Sequence, residues 1–184
     1  MSGNLVLTNY GVALNRLTEN EIEMVRNWRN APKIQATMQY RDYITPEMQK
    51  AWFGRINNTQ NYYFVVEYRG EKIGLINVKD IDYTQKCGES GVFIYEDKYL
   101  ATDIAYRAHL VLFDFIYEVV GLDYTYSHIL HGNPKAYRFA EFLGCVPDEK
   151  LTTPQTIAYR LSATDYLNNK NRIRFIAKWN KQTN

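Results

Sequence analysis

The residues around the start of a long predicted helix, from about 102 to 120, could bind a phosphate group. Backbone N–H groups at a helix N-terminus lack intrahelical partners and face the positive end of the helix dipole, so they attract anions. The loop before this helix contains no glycine, although glycine lets a backbone approach an anion most closely. Asp103 adds a carboxylate that would repel a diphosphate by roughly 1 kcal/mol when water screens the charges. Two interpretations therefore stay open: a weakened phosphate site, or an acidic N-cap that only completes the helix.

Two histidines, His128 and His131, lie near the end of a predicted strand at 124–130. Side chains three positions apart on a strand point to opposite faces, so these residues are poor joint ligands for one ion. The sequence therefore predicts no metal site.

The elements that must position these residues follow one another without a linker. A strand and its turn (5–18) precede two helices, which begin after Thr18 and Thr45, two residues suited to N-cap positions. A hairpin turning at Arg69-Gly70-Glu71, a strand at 88–95 and the long helix ending at Gly121 come next. Then follow the strand at 124–130, a helix at 134–144, and a last strand leading into a helix. The order β-α-α-β-β-β-α-β-α-β-α predicts one α/β domain over 1–184 with a mixed sheet.

Composition narrows the class of protein. The formal net charge of +2 comes from well-mixed signs, so we expect no nucleic-acid partner. No run approaches about 20 apolar residues, so no membrane span is expected. The N-terminal residues lack a secretory pattern, and Cys87 and Cys145 are far apart, which together favour a reducing, cytoplasmic location. The sixteen tyrosines suit either a pocket for sugars, nucleobases or peptides, or simply the covering of sheet faces.

The stretch "HGNPKAYRFAEFLGC" (131–145) carries a family resemblance. It resembles the Asn-x-x-Ala…Leu-Gly-Phe signature of the GCN5-related N-acetyltransferase (GNAT) superfamily, with Asn133, Ala136, Leu143 and Gly144 at the matching places. "WRNAPKIQATM" and "TPEMQKAWFGRI" resemble the branch that includes ribosomal-protein N-terminal and amino-sugar N-acetyltransferases. The resemblance implies a single-domain fold with a mixed, splayed central sheet flanked by helices.

The same resemblance implies acetyl-CoA as co-substrate and a set of residues that would bind it. Backbone amides near Phe93, Ile94 and Tyr95 would contact the thioester carbonyl and the pantetheine arm. The diphosphate would lie at the loop formed by Leu100, Ala101, Thr102, Asp103, Ile104 and Ala105. Asn133, Ala136, Arg138 and Phe139 would flank the cofactor. Ordinary core packing equally explains the side chains of Phe93, Ile94 and Phe139, and a helix cap explains Asn133.

Two positions depart from the family pattern. Members usually carry Gln/Arg-x-x-Gly-x-Gly/Ala before the long helix, and in this loop only Ala105 agrees. The tyrosine that often protonates the departing thiolate would fall at Ala140. No residue of this sequence is therefore assigned to that step.

For the acceptor amine, the resemblance implies a general base and a set of residues that line the acceptor site. Glu89 matches the position where this branch often carries an acid, and it could take the amine proton directly or through water. A solvated charge at a strand end is an equally good interpretation of Glu89, and the two histidines are the next candidates. The acceptor region would include Trp28, Arg29, Asn30, Tyr40 and His128.

The predicted function is acetyl transfer from acetyl-CoA to a primary amine on a small molecule. An aromatic wall with an arginine suits a nucleotide-linked amino sugar. A peptide α-amine would also fit, and a non-catalytic relative with an eroded cofactor site is the alternative from another class. By analogy with such folds, we expect a homodimer.

Overall fold

The computed structural model describes the backbone of residues 5–179 and the side chains of residues 5–171. Eight strands form one mixed sheet in the spatial order β1-β2-β3-β4-β5-β6-β8-β7. The strands are β1 (Val6–Asn9), β2 (Val12–Arg16), β3 (Tyr62–Tyr68), β4 (Glu71–Asp82), β5 (Cys87–Ile94), β6 (Tyr124–Leu130), β7 (Val146–Pro147) and β8 (Thr156–Ser162). The helices are α1 (Ile22–Asn30), α2 (Pro32–Gln35), α3 (Pro46–Ile56), α4 (Ile104–Asp114), α5 (Pro134–Phe142) and α6 (Ala163–Trp179).

The first five strands form a continuous antiparallel meander. Residues 5–18, predicted as one strand and its turn, are in fact the hairpin β1–β2. Tyr10 and Gly11 occupy its turn with φ of 52° and 74°. Two consecutive positive φ values match the right-handed twist of the flanking strands. The prediction missed the hairpin because a tyrosine in this position is a weak turn signal.

The predicted helix starts are confirmed by their caps. Thr45 Oγ1 accepts a hydrogen bond from Met48 N at 3.2 Å, and Pro46 occupies the first turn of α3. Before α1, the Glu21 carboxylate accepts a hydrogen bond from Thr18 N at 3.1 Å. α3 therefore begins directly after Thr45 as predicted, whereas a 3₁₀ turn over Glu19–Glu21 follows Thr18 and α1 begins at Ile22.

Helices cover both faces of the sheet. On one face, α4 packs on a core that includes Phe64, Ile76 and Leu112, each with 0% exposure. On the other face, α1 and α3 cover a second cluster that includes Val25, Val65 and Leu75. A third cluster, around Tyr166, joins α4 to α6 and β8. Helices therefore cover both faces of the central strands, and the candidate site lies in this part of the sheet.

The sheet opens between its two central strands. β5 and β6 are parallel neighbours only over Cys87–Glu89 and Tyr124–Tyr126. Beyond Glu89, β5 continues to Ile94 and β6 to Leu130 without pairing with each other, while each stays paired with its other neighbour. The splay predicted from the family resemblance is thus present.

The predicted helix over 102–120 begins at Ile104 and changes its pitch near the end. Residues Phe115–Val120 form a π-helical turn, which Gly121 ends with φ of 79°. This wider turn carries Tyr117, whose hydroxyl donates to Leu161 O at 2.9 Å and lies 2.8 Å from Thr125 Oγ1. Within residues 5–179, none of the helices combines the length and apolar character of a membrane span.

Candidate active site

A cavity of ≈ 990 Å³ follows the opening between β5 and β6 and has walls on both faces of the sheet. Arg29, Trp52 and Arg55 line it from α1 and α3. His109 and Phe139 line it from α4 and α5. Because residues of both helical layers face the same space, the cavity forms a passage through the sheet.

Glu89 lies in the wall of this passage, at the point where β5 leaves β6. Its Oε2 is 2.8 Å from Lys79 Nζ, and its Oε1 is 3.4 Å from His128 Nδ1. The side chain of Glu89 is 18% exposed. Burial disfavours the charged form of Lys79, but the hydrogen bond and the negative charge of Glu89 raise the lysine pKa overall. The carboxylate is thus fixed in place and can still be reached from the cavity.

His128 contacts Glu89 with one ring nitrogen and the backbone with the other. Its Nε2 lies 3.0 Å from Leu151 O, and a carbonyl can only accept, so Nε2 carries the proton. This bond orients the ring toward Glu89. In the described residues, no three His, Cys, Asp or Glu side chains come together as a metal site would require.

The residues predicted on α5 divide between the cavity and the surface. Asn133, Ala136 and Phe139 line the cavity, whereas Arg138 is exposed and does not line it. Asn133 Oδ1 also accepts a hydrogen bond from Ala136 N at 3.2 Å, which makes it the N-cap of α5. Both interpretations of Asn133 are therefore compatible with its position. Ala140 is buried in the same wall, which leaves space where the family tyrosine would stand.

The side chain of Asp103 does not have the role predicted for it. It occupies the position before α4, but it makes no hydrogen bond to the helix backbone. Instead its Oδ2 accepts from Arg107 Nε at 2.9 Å and from Arg107 Nη2 at 2.7 Å. The exposed fractions of the two side chains are 11% for Asp103 and 6% for Arg107. The carboxylate therefore faces neither the solvent nor the first amides of the helix, because the arginine one turn later neutralises it.

The loop before α4 offers fewer free amides than predicted. Leu100 N donates to Asp97 O at 3.1 Å, and Thr102 N donates to Tyr99 O at 3.2 Å. Ile104 N lies 3.4 Å from Thr102 Oγ1. These three amides are engaged within the loop, which corrects the prediction for Leu100, Thr102 and Ile104. Within the described chain, the amides of Ala101, Asp103 and Ala105 donate to no backbone or side-chain acceptor, and the loop residues 100–105 do not line the cavity.

The three β5 amides predicted to contact the cofactor point in two directions. Tyr95 N donates to Ile73 O at 2.7 Å, so this amide faces β4 and the prediction is wrong for it. Since successive amides of a strand alternate in direction, Phe93 N also faces β4 and Ile94 N faces the opening. The side chain of Phe93 lines the cavity, and that of Tyr95 stacks on Trp28 with ring centroids 5.4 Å apart.

Some of the residues predicted to line the acceptor site instead stabilise the fold. Trp28 is buried against Tyr95 and Phe93 and does not line the cavity. Asn30 exchanges two hydrogen bonds with the backbone of Ile44, at 2.9 and 2.8 Å, and holds the chain that leads into α3. These contacts place Trp28 and Asn30 outside the site, in contrast to the prediction. The other predicted residues, Arg29, Tyr40 and His128, do line the cavity.

Sequence reasoning missed several polar residues of the site, among them Tyr63, Asn77, Lys79 and His109. Lys79 lies directly opposite Glu89 in the β4–β5 ladder, so hairpin register could have found it. His109 stands within an apolar helical stretch and gave no signal. Its Nδ1 is 2.9 Å from Ala105 O, and burial lowers its pKa to about 4. The imidazole is therefore neutral near pH 7.

A family model described as "Acetyltransferase (GNAT) domain" matches residues 12–146. The match covers most of the chain, and the splayed sheet and the cavity through it agree with the fold. The chain therefore belongs to the GNAT acetyltransferases, and it is an acetyl-CoA-dependent N-acetyltransferase. A comparison with proteins of curated function gives no match.

Solved structures similar to this chain include FdhC, described as a nucleotide-linked sugar GNAT in its apo form. Its TM-score is 0.76 at 20% identity, over 92% of this chain and 97% of that one. The spermidine N-acetyltransferase of Vibrio cholerae in complex with CoA and spermine has a TM-score of 0.73 at 19% identity, over 86% and 99%. A chimera of the Vibrio cholerae enzyme SpeG and hSSAT has a TM-score of 0.74 at 21% identity, with the same coverage. At these identities the likeness shows the fold.

Proposed function

We propose that this protein acetylates a primary amine on a nucleotide-linked amino sugar, with Glu89 as the general base. The passage through the sheet, with Glu89 in its wall, carries the proposal. The two substrates would enter from opposite faces, and the acetyl carbon would meet the amine at the opening between β5 and β6. Holding both reactants in this geometry converts a bimolecular reaction into one within a single complex.

On the face covered by α4 and α5, the chain's own groups would orient acetyl-CoA. The Ile94 amide faces the opening and can donate to the thioester carbonyl as negative charge develops on it. Phe139 and Ala136 would form the apolar side of the slot. The free amides of Ala101, Asp103 and Ala105 would meet the diphosphate, and the Asp103–Arg107 pair reduces the repulsion expected from the carboxylate.

On the other face, the amine must lose a proton before it attacks. The Glu89 carboxylate can accept that proton directly or through one water molecule. Lys79 holds the carboxylate on one side and the ring of His128 borders it on the other, which restricts its position during the transfer. These contacts support a base more than a solvated strand-end charge.

The charges of the cavity favour an acceptor that carries negative charge. Among the described residues, Arg29, Arg55 and Lys79 line it, against one carboxylate, that of Glu89. A polyamine would bring further positive charge into this wall without the carboxylates that would compensate it. A nucleotide-linked sugar would bring phosphates instead, and it agrees with the printed description of FdhC. The homodimer predicted by analogy stays a prediction; one related structure is described as dodecameric.

The test is a free-thiol assay with acetyl-CoA and three acceptors: a uridine-diphosphate-linked amino sugar, spermidine and a short peptide with a free α-amine. We expect the nucleotide-linked sugar to give the highest kcat/KM. Preference for spermidine or for the peptide would overturn the acceptor assignment. Absence of transfer to any amine would overturn the proposal as a whole.

The role of Glu89 is tested by Glu89→Gln. We expect kcat to fall by about 10²- to 10⁴-fold, because the amide cannot take up a proton, while the affinity for CoA stays unchanged. Asp80→Asn is the matched control, since Asp80 contacts the same lysine at 3.3 Å but is exposed. Equal kcat values for Glu89→Gln and the wild type would exclude Glu89 as the base.

A further inference from the structure

We infer that Arg29, Tyr63 and Asn77 form an oxyanion-binding subsite on the acceptor side of the passage, built to hold a phosphate or carboxylate of the acceptor. This inference deepens the proposed function and rests on it. It assigns a ligand chemistry to two residues, Tyr63 and Asn77, that the acetyl-transfer argument does not use.

Arg29 carries a half-buried charge that no carboxylate of the described residues balances. Its Nε is buried without a hydrogen-bond partner, and no carboxylate of the described residues lies within 4.0 Å of its guanidinium. Burial lowers the pKa of Arg29. Removing a guanidinium from water without giving it a partner is unfavourable, so such groups normally have one. Since Arg29 lines the cavity, that partner is expected to be a ligand.

Arg16, a second arginine with a buried guanidinium nitrogen, differs from Arg29 in its contacts. Its Nη1 is also buried without a partner, but its Nη2 donates to Asn58 O at 3.0 Å. Its guanidinium also lies over the Tyr62 ring, 4.8 Å from the centroid. Arg16 thus has partners within the protein and does not line the cavity, whereas Arg29 has no such partner among the described residues and does line it.

Tyr63 and Asn77 present hydrogen-bond donors on the floor of the same space. They are direct cross-strand neighbours in the β3–β4 ladder, so their side chains point to the same face. Gly91 lies opposite Asn77 on β5, and a Cβ there would come within 3.3 Å of Asn77 Oδ1. Glycine at this position therefore leaves room for the carboxamide.

The Tyr63 hydroxyl remains protonated under all ordinary conditions. The residue is only 8% exposed, and burial raises its pKa to about 12. The edge of Trp52 packs on its ring, with centroids 5.1 Å apart, which restricts the ring orientation. No hydrogen bond of the Tyr63 hydroxyl or of the Asn77 carboxamide is formed with the described residues.

The three side chains together define the ligand class. A guanidinium, a phenol O–H and a carboxamide N–H are all donors, and their natural common partner is an anionic oxygen. The fork of the guanidinium matches phosphate and carboxylate geometry in particular. A cationic acceptor would leave the guanidinium unpaired.

The subsite is tested by calorimetry on the full chain saturated with CoA, so that the cofactor's own phosphates cannot compete. The titrants are uridine diphosphate and D-glucuronate. We expect binding of at least one anion, weakened about ten- to a hundredfold by Arg29→Gln and about three- to tenfold by Tyr63→Phe. Arg16→Gln is the matched control and should bind as the wild type does. If Arg29→Gln weakens the binding of uridine diphosphate but not that of glucuronate, the subsite holds a phosphate. If it weakens only the binding of glucuronate, the subsite holds a carboxylate.

Equal affinities for wild type and Arg29→Gln, or no binding of either anion, would overturn the subsite. If Arg29→Gln does not fold, the anion affinities are measured with Arg29→Lys and Tyr63→Phe. The first keeps the positive charge but removes the guanidinium fork, and the second removes only the hydroxyl. The two proposals fail differently. Acetylation of an amine together with anion affinities that Arg29→Gln does not change would refute the subsite and leave the acetyltransferase intact. Anion binding that depends on Arg29, without transfer to any amine, would refute the proposed reaction alone.

Discussion

Glu89 and His109 occupy the same cavity in opposite surroundings. Glu89 pairs with Lys79 and lies beside His128 in the polar part of the passage. His109 lies between the rings of Phe113 and Phe139, with centroid distances of 5.2 and 5.1 Å. The first environment stabilises a charge and the second excludes one.

The exclusion of charge at His109 makes stability depend on pH. Its pKa of about 4 in the folded protein lies below the ordinary 6.5, so between these values the unfolded chain binds a proton that the folded chain does not. The free energy of unfolding therefore falls as the pH drops through this window. At pH 5 the loss from this residue is about 2 kcal/mol. We expect His109→Phe to remove that part of the difference between pH 7.5 and pH 5, measured by urea unfolding.

His131 provides the control for this measurement because it is an exposed histidine of the same chain. His131→Gln should leave the pH dependence as in the wild type. A His109→Phe variant that keeps the full loss at pH 5 would contradict the burial of a neutral imidazole.

At the scale of single residues, the family resemblance predicted which positions would lie in the site. Glu89 and Asn133 were named on that basis, and both line the cavity. Tyr63 and Asn77 could not be found, because their importance depends on cross-strand register and on the space beside Gly91. Trp28 was misplaced because an aromatic residue that packs and one that lines a pocket look alike in a sequence.

At the scale of elements, the carboxylate before α4 is neutralised by an arginine in the first turn of the same helix. Asp103 and Arg107 are four residues apart, the spacing at which side chains on one helix face meet. This spacing was present in the sequence, but only the burial of both groups shows that the pair closes on itself. The presence of each helix was easier to predict than its end residues or its helical pitch. The π-helical turn at the end of α4 had no sequence signal.

Two glycines in and after helices should respond to alanine in opposite ways. Gly144 follows α5 with φ of 91°, and an added Cβ would lie 2.5 Å from Asn169 Nδ2. Gly144→Ala should lower the free energy of unfolding by about 1–2 kcal/mol, because of backbone strain in the left-handed region. Gly54, within α3, has no atom within 4 Å of an added Cβ. Gly54→Ala should raise the stability by about 0.5–1 kcal/mol in the same urea titration. Equal effects at both sites would contradict this difference in backbone geometry.

The opening between β5 and β6 should be visible in amide hydrogen exchange. Alternation along β5 places the amides of Val92 and Ile94 toward the opening and those of Phe93 and Tyr95 toward β4. We expect the first pair to exchange rapidly without ligand and at least about tenfold more slowly with saturating CoA. Phe93 and Tyr95 are internal controls that should change little. Uniform protection of all four amides without CoA would mean that the opening is closed in solution.

At the scale of the whole molecule, the order of elements was predictable and the division of the sheet was not evident from local patterns. Turn residues such as Gly70 and caps such as Thr45 identified the consecutive elements. The splay followed only from the family resemblance, since nothing in β5 or β6 alone shows that their pairing stops at Glu89.

The arrangement of the strands also has a consequence for the order of folding. β1 to β5 are neighbours both in sequence and in space, so their contacts close short loops. β6 joins them through only three residue pairs, after a long connection that contains α4. Because sequence-local contacts form fastest, we expect pulse-labelled amides of β3 and β4 to be protected before those of β6 and β8 during refolding. Simultaneous protection would contradict this order. The chain would thus complete one half as it leaves a ribosome, and the acetyl-transfer site would exist only once the second half had docked.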